Sequence, residues 1–100
     1  MIAWDRIVGF YWDDGNARKS ADKHDVSQME AEQVFFNELL LTVPDVKHSG
    51  AERRIHALGR TDDGRLLHIT FTLREDGKKL RVISARDMSR KERSYYEQGI

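Results

Sequence analysis

The chain of 100 residues is neutral overall because two unlike parts cancel: residues 78–100 hold seven Lys/Arg and three Asp/Glu, whereas residues 1–77 hold ten and fourteen. Its length fits a single domain over residues 1–100, and 39% hydrophobic residues is enough for a core, which excludes a disordered chain. The absence of cysteine excludes disulfides and thiolate metal sites. With neither a membrane-length apolar run nor a basic leader, the chain is expected in the cytoplasm.

The N-terminal part of the sequence predicts a strand followed by a helix. Residues 7–12 form a short apolar run typical of a strand. Asp13 or Asp14 then supplies an N-cap for a helix that reaches about His24. Lys23 and His24 end this helix, where the negative end of the helix dipole favours cations, so a structural and a functional role are both open for the pair.

A second helix and a second strand follow. Ser27 and Glu30 have the spacing of a capping box, in which each side chain satisfies an amide of the first helical turn. The helix that they open carries an inward stripe at i, i+3 and i+4, formed by Ala31, Val34 and Phe35. Residues 39–43 are continuously apolar and predict a strand that Pro44 ends.

The middle of the chain has the pattern of a three-stranded meander. Strands are predicted at residues 53–60, 65–74 and 80–86, the second with apolar and polar residues alternating over residues 67–73. Asp-Gly pairs at 63–64 and 76–77 separate them, and this dipeptide tolerates the positive φ of tight turns. A helix anywhere within 65–74 would contradict the meander.

The C-terminal run predicts one more helix. Ser89 and Glu92 form a second capping-box spacing directly after the last strand. The element order is therefore β-α-α-β-β-β-β-α. We expect an α+β fold with a small antiparallel sheet, two N-terminal helices and one C-terminal helix.

Three groups of charged residues lie in the loop after Pro44 and on the predicted strands, and strand alternation limits which of the strand residues can share a face. Asp45 and His48 lie in the loop after Pro44, where a histidine is either solvated or functional. Consecutive strand residues face opposite sides, so only one of Arg53 and Arg54 reaches a given face. On the last strand Arg81 and Arg86 are separated by an odd interval, and a shared site for them requires a bend or bulge near position 84.

The residue types favour chemistry without a metal or another cofactor. The four histidines lack ligand spacing, no glycine-rich loop is present to cradle a phosphate, and no serine lies in a nucleophile elbow. Arginines, a lysine, a histidine and a glutamate remain. Such a set suits binding and cleavage of a phosphodiester, in which a base takes the 2′-hydroxyl proton, arginines stabilise the phosphorane and an acid protonates the leaving oxygen.

Three blocks of the sequence, in register over about residues 10–99, resemble the BrnT family of bacterial toxins, small ribonucleases of the RelE-like superfamily that are encoded with a BrnA antitoxin. The blocks are FYWD with a helix and KHDV, PDVKHS with ERRIHALGR, and RVISARDMSRKERSYYEQG. The third block is the most specific. The matching residues are Trp12, Asp13, Lys23, His24, Val26, Asp45, His48, Ser49, Glu52, Arg53, Gly59, Arg81, Ile83, Ser84, Ala85, Arg86, Glu92, Arg93 and Tyr96.

The resemblance implies a RelE-like fold and the toxin of a type II toxin–antitoxin pair, a metal-independent endoribonuclease that slows translation by cutting RNA. In this interpretation Arg53, Arg81 and Arg86 bind and neutralise the scissile phosphate. Lys23 and His24 assist charge stabilisation or proton transfer, and Glu52 is a candidate base. The implied partners are RNA and a BrnA-type antitoxin, a ribbon-helix-helix DNA-binding protein, without a membrane. A toxin homodimer within a toxin–antitoxin heterotetramer is consistent with this.

Three departures from the family pattern bear on activity. Asp25 stands where the family usually has glycine after Lys-His, and Asn16 and Ser20 replace a lysine and an asparagine common in the first helix. These changes weaken the positive charge at that end. The alternative function is a non-catalytic module of the same fold that binds RNA or an acidic protein.

Overall fold

The computed structural model describes residues 2–99, except for the side chains at positions 17, 20 and 22. A short 3-10 helix at Trp4–Arg6 precedes the first strand. The elements that follow are β1 (Gly9–Phe10), α1 (Asp14–His24), α2 (Gln28–Val34), β2 (Leu41–Asp45), β3 (Arg54–Arg60), β4 (Leu66–Arg74), β5 (Lys79–Asp87) and α3 (Arg90–Gln98). The capping boxes predicted for α2 and α3 are both present.

One five-stranded sheet has the order β1-β5-β4-β3-β2. The predicted meander is confirmed, because β3, β4 and β5 pair antiparallel in sequence order. The expectation of a purely antiparallel sheet is wrong, since β1 pairs parallel to β5. A tight hairpin forces its two strands to be antiparallel, but most of the chain separates β1 from β5 and leaves their relative direction free. The RelE-like likeness stays a prediction.

The second strand differs from its prediction at both ends. It spans Leu41–Asp45 rather than residues 39–43, and Pro44 lies within it, paired with Ile55. Proline lacks the amide hydrogen that a central strand must donate. Because β2 is the outer strand of the sheet, no strand in the described part of the chain bonds to its outward side, and the proline is tolerated there.

The main core lies between one face of the sheet and α2 with the residue Val26 that precedes it. Its buried residues are Val26, Ala31, Val34, Ile55, Ala57, Leu67, Ile69, Phe71, Leu80, Val82 and Ala85. Helix α2 approaches the sheet closely at Gly59, where an added Cβ would lie 2.5 Å from Cγ1 of Val34. This glycine therefore serves close packing of the helix on β3.

The opposite face of the sheet is only partly covered. Helix α3 packs over it through a small cluster in which Leu58, Met88 and Tyr96 are buried. The Tyr96 hydroxyl donates a 2.6 Å hydrogen bond to the carbonyl of Leu39, which anchors the helix. The remainder of this face is open. None of the helices in the described part of the chain has the length and apolar character needed to cross a bilayer.

Candidate active site

A bulge in β5 brings its two arginines to the same face of the sheet. Ser84 pairs with Thr70 and Val82 pairs with Phe71, so Ile83 is an extra residue without a partner on β4. The extra residue reverses the alternation on β5. Arg81 and Arg86 therefore both lie on the open face, opposite Thr72 and His68 respectively. The bulge that the sequence required near position 84 is confirmed.

Four cations from separate elements converge on a pocket of about 480 Å³ on this open face. We call it the cationic pocket, and it is lined by Lys19 of α1, Arg54 of β3, Arg74 of β4 and Arg81 of β5, together with His48 and Glu52 of the loop between β2 and β3. No single stretch of sequence contains this set. A pocket with this excess of positive charge attracts phosphate groups.

Arg81 is held firmly in the pocket wall. Its Nη1 donates to Oδ2 of Asp13 at 2.9 Å, and its guanidinium carbon lies 5.2 Å from the ring centroid of Tyr11. The Arg81 side chain is only 20% exposed. Hydrogen bonding from the backbone amide of Asn16, followed by that from Arg81, lowers the pKa of Asp13. Asp13 therefore stays ionised and keeps the guanidinium oriented.

The other three cations differ in whether they already have a partner. Arg74 is paired with Glu52, with Nη2 at 3.0 Å from Oε1 and Nε at 3.1 Å from Oε2. The side chains of Arg54 and Lys19 make no hydrogen bond or ion pair with any other residue that the structure describes. Two of the four pocket cations are therefore available to an anion without breaking an existing bond.

Asp45 orients the histidine of the pocket. Nδ1 of His48 lies 3.1 and 3.0 Å from the two carboxylate oxygens of Asp45, and the His48 amide also donates to Oδ1 at 3.2 Å. Burial alone would raise the pKa of Asp45, but the bonds from His48 and the nearby His56 outweigh burial and lower it. Among the described residues, nothing engages Nε2 of His48, which leaves that nitrogen able to exchange a proton.

Arg86 shares the open face but does not line the cationic pocket. Its Nη1 and Nη2 donate to the two oxygens of Glu92 at 2.8 and 2.9 Å, and Nη1 also bonds the carbonyl of Asp87 at 3.0 Å. Hydrogen bonding from Arg86 is the main cause that lowers the pKa of Glu92 to about 2. The pair joins β5 to α3, so Arg86 is engaged in holding the helix.

Three other residues named from the sequence lie away from the pocket. Arg53 lines a different cavity together with Trp4 and Pro44. Lys23 and His24 are at the C-terminal end of α1, beyond the residues that line the pocket. Of the six predicted site residues, the structure thus brings Glu52 and Arg81 together, places Arg86 on the same face, and separates Arg53, Lys23 and His24 from them.

The segment that follows Lys23 and His24 is fixed by a single arginine. Arg65 bonds Asp87 through Nε at 2.8 Å and Nη2 at 3.2 Å, and its Nη1 bonds Glu30 at 3.0 Å and the carbonyl of Asp25 at 2.8 Å. These contacts tie the end of α1, the start of α2 and the end of β5 together. The position of Lys23 and His24 relative to the sheet therefore depends on Arg65.

The pocket contains Lys19, Arg54 and Arg74, which the sequence did not assign to the site, and His48, which the sequence left as either solvated or functional. The sequence did indicate that either Arg53 or Arg54 could face the site, because alternation along a strand allows only one of two adjacent arginines onto a given face. Asp45 and His48 were visible as a loop cluster. Nothing in the sequence pattern pointed to Lys19 or Arg74, because their convergence depends on the packing of α1 and on strand register.

The chain matches one protein family over residues 12–92, the family described as "Ribonuclease toxin, BrnT, of type II toxin-antitoxin system". This chain belongs to the BrnT family. A search of curated proteins gave no match. Membership in a family of type II toxins implies RNA as the substrate and a protein antitoxin as the partner. No group of three or more His, Asp or Glu side chains within the described part of this BrnT chain is arranged to hold a metal ion.

The backbone explains one departure from the usual BrnT sequence. Asp25, which stands in place of the family's glycine, has a φ of +56° directly after α1. This left-handed conformation is the one that favours glycine at helix ends, and aspartate is among the few other residues that adopt it. Asn16 is buried and donates through Nδ2 to the carbonyls of Tyr11 and Val82, both at 3.1 Å, so it anchors α1 to β5. The predicted effect of Ser20 lies outside the described side chains.

Proposed function

We propose that this BrnT chain is a metal-independent endoribonuclease that cuts RNA at the cationic pocket and thereby inhibits translation. The observation that carries the proposal is the convergence of Lys19, Arg54, Arg74 and Arg81 around His48. Phosphate binding and proton transfer are the two requirements of RNA cleavage through the 2′-hydroxyl, and this pocket supplies groups for both.

Arg54 and Arg81 bind the scissile phosphate in this proposal. A guanidinium presents a rigid fork of donors that matches two phosphate oxygens. Asp13 holds Arg81 in place through a single 2.9 Å bond from Nη1, so other donors of the same guanidinium stay available to RNA. Arg54 takes the role that the sequence assigned to Arg53, because Arg54 and not Arg53 lines the pocket. Lys23 extends the positive charge along α1, and His24 lies beside it.

His48 is the proposed base. Its Nε2 takes the proton of the 2′-hydroxyl, the 2′-oxygen forms a bond to phosphorus, and the bond from phosphorus to the 5′-oxygen breaks. Lys19 lines the same pocket, and its ammonium donates the proton that the leaving 5′-oxygen needs. Glu52, the base predicted from the sequence, is engaged by two donors of Arg74, whereas Nε2 of His48 is not engaged by the described residues. Every proton in this scheme moves between side chains and RNA.

A BrnA-type antitoxin is the proposed partner, and we infer that it covers the cationic pocket. An enzyme that cuts cellular RNA must be neutralised, and blocking the phosphate-binding groups achieves this directly. Acidic side chains of the antitoxin would replace the phosphate on Arg54 and Lys19. The antitoxin is expected to bind DNA through a ribbon-helix-helix domain and to assemble with the toxin as a heterotetramer. Co-expression of the neighbouring gene should give a complex stable in moderate salt, and a clean monomeric toxin would contradict this.

The decisive experiment measures RNA cleavage by the parent and by Arg81→Ala in the presence of EDTA. We expect the parent to leave 2′,3′-cyclic phosphate ends and to spare RNA with 2′-O-methyl groups, because the attacking hydroxyl is then blocked. The variant should lose roughly 10²–10³ in rate while its thermal midpoint shows that it is folded, since a positioned donor contributes about this much to stabilising developing charge. Intact RNA after incubation with the parent would favour the non-catalytic binding module instead.

A further inference from the structure

An apolar groove continues the open sheet face beyond the cationic pocket and passes beneath α3. It has a volume of about 330 Å³ and is lined by Leu41, Val43, His56, Leu58, His68 and Tyr95, together with Lys91 and Glu92. The sheet supplies the aliphatic floor and both histidines, while α3 supplies Tyr95 on the other side. Tyr95 is 57% exposed, so its ring has a free surface.

The histidines form a fixed wall of this groove. His56 is held at both nitrogens, with Nε2 at 3.0 Å from Asp45 and Nδ1 at 3.0 Å from the hydroxyl of Thr70. The ring of His68 lies 4.8 Å from that of His56 between centroids. Burial, helped by the charge of Arg86, lowers the pKa of His68 and so favours the uncharged form of this ring. The wall is thus rigid, aromatic and largely apolar, as a stacking surface for a flat ring should be.

The groove and the cationic pocket adjoin each other. Asp45 contacts His48, which lines the pocket, and also His56, which lines the groove. Arg54, His56 and Leu58 follow one another at alternate positions of β3, so roughly 13 Å of strand leads from the pocket into the groove. An extended RNA strand bridges that distance in a few nucleotides.

We propose that the groove binds a nucleobase of the RNA whose phosphate lies in the cationic pocket, with Tyr95 stacking on the base. This inference rests on the proposed function and adds a subsite to it. Lys91 lines the groove, and Arg54 lines the adjoining cationic pocket. An anionic polymer with flat apolar bases matches that combination of charge and rings, whereas an apolar peptide segment would leave both cations unused.

The test measures the binding of 2′-O-methyl RNA oligonucleotides, which remain uncut, to the parent and to four variants. One oligonucleotide is intact and the others each carry a single abasic position. Tyr95→Ala should bind the intact oligonucleotide roughly 5- to 150-fold more weakly, the range for losing one stacked base. One abasic position should weaken the parent by a similar factor and leave Tyr95→Ala unaffected. Tyr95→Phe should behave as the parent, because the ring remains.

Phe36→Ala is the matched control, since Phe36 is a 79% exposed aromatic that lines neither the pocket nor the groove. It should bind like the parent. Equal affinity of Tyr95→Ala and the parent, while Arg81→Ala binds weakly, would overturn the base site and leave the phosphate site intact. Unchanged RNA binding by Tyr95→Ala with a weakened antitoxin complex would also overturn it, and would make the groove a protein interface. A parent that binds no RNA would overturn both proposals.

Discussion

Arg86 binds both carboxylate oxygens of Glu92, at 2.8 and 2.9 Å, and so links the last strand to the last helix. The same carboxylate accepts a hydrogen bond from the amide of Ser89 at 2.9 Å, which closes the capping box of α3. One glutamate therefore both begins the helix and attaches it to the sheet. A residue that the sequence suggested for phosphate binding has a structural partner instead.

Arg86→Ala should lower the free energy of unfolding by about 1–3 kcal/mol, because Glu92 then loses a partner in a partly buried place. Urea denaturation of the parent and the variant measures this. Arg90→Ala is the control, since Arg90 is exposed on the first turn of α3. If Arg86→Ala is as stable as the parent but no longer cleaves RNA, the structural role is wrong and Arg86 acts in catalysis.

The Arg86–Glu92 pair predicts a loss of stability in acid. Because the pKa of Glu92 falls from 4.5 to about 2 in the folded chain, its stabilising effect is complete above pH 4.5 and disappears as the pH falls towards 2. The thermal midpoint of the parent should therefore fall more steeply over this window than that of Glu92→Gln. Other carboxylates titrate equally in both proteins, so parallel curves would contradict the prediction.

Arg54 and Arg53 should separate functionally although they are neighbours. Arg54→Ala is expected to slow RNA cleavage by roughly 10²–10³, because its guanidinium lines the cationic pocket. Arg53→Ala should cleave within about threefold of the parent, because Arg53 lies at another cavity. Initial rates with one short RNA substrate give the comparison. The reverse order would restore the assignment made from the sequence.

His48 should be required for proton transfer. We expect His48→Gln to lose roughly 10²–10⁴ in the cleavage rate, the usual contribution of a positioned acid or base. The pH–rate profile of the variant should also change in shape, which a purely structural role would not cause. Lys47→Ala, an exposed neighbour in the same loop, serves as the control. An unchanged profile in His48→Gln would move the role of base to Glu52.

Asp25→Gly should stabilise the protein, because position 25 has a φ of +56°. Removing the side chain relieves the left-handed strain of the folded chain, and this outweighs the entropy that glycine adds to the unfolded chain. The free energy of unfolding should therefore rise by about 0.5–1 kcal/mol. Asp63→Gly, an exposed position without positive φ, should show no such gain. Chemical denaturation measures the free energy of unfolding of both variants and the parent. A lower value for Asp25→Gly than for the parent would show that the Asp25 carboxylate itself stabilises the fold.

The sequence by itself determined the elements whose signals are local. Both capping boxes and both Asp-Gly turns occur where residue types dictated them, because a cap or a turn satisfies backbone groups within four residues of itself. Strand alternation likewise separated Arg53 from Arg54 before the faces were known. The BrnT family was also identified from the residues, since its blocks are written along the chain.

Only the tertiary structure decided which charges meet. Arg74 and Lys19 reach the cationic pocket through strand register and the packing of α1, and these depend on contacts between residues far apart in the chain. The bulge at Ile83 places Arg81 and Arg86 on the same face of the sheet. Arg86 pairs with Glu92 there and does not line the pocket. The parallel pairing of β1 has the same origin. Long-range packing set these features, and it leaves no period or spacing in the sequence from which they can be read.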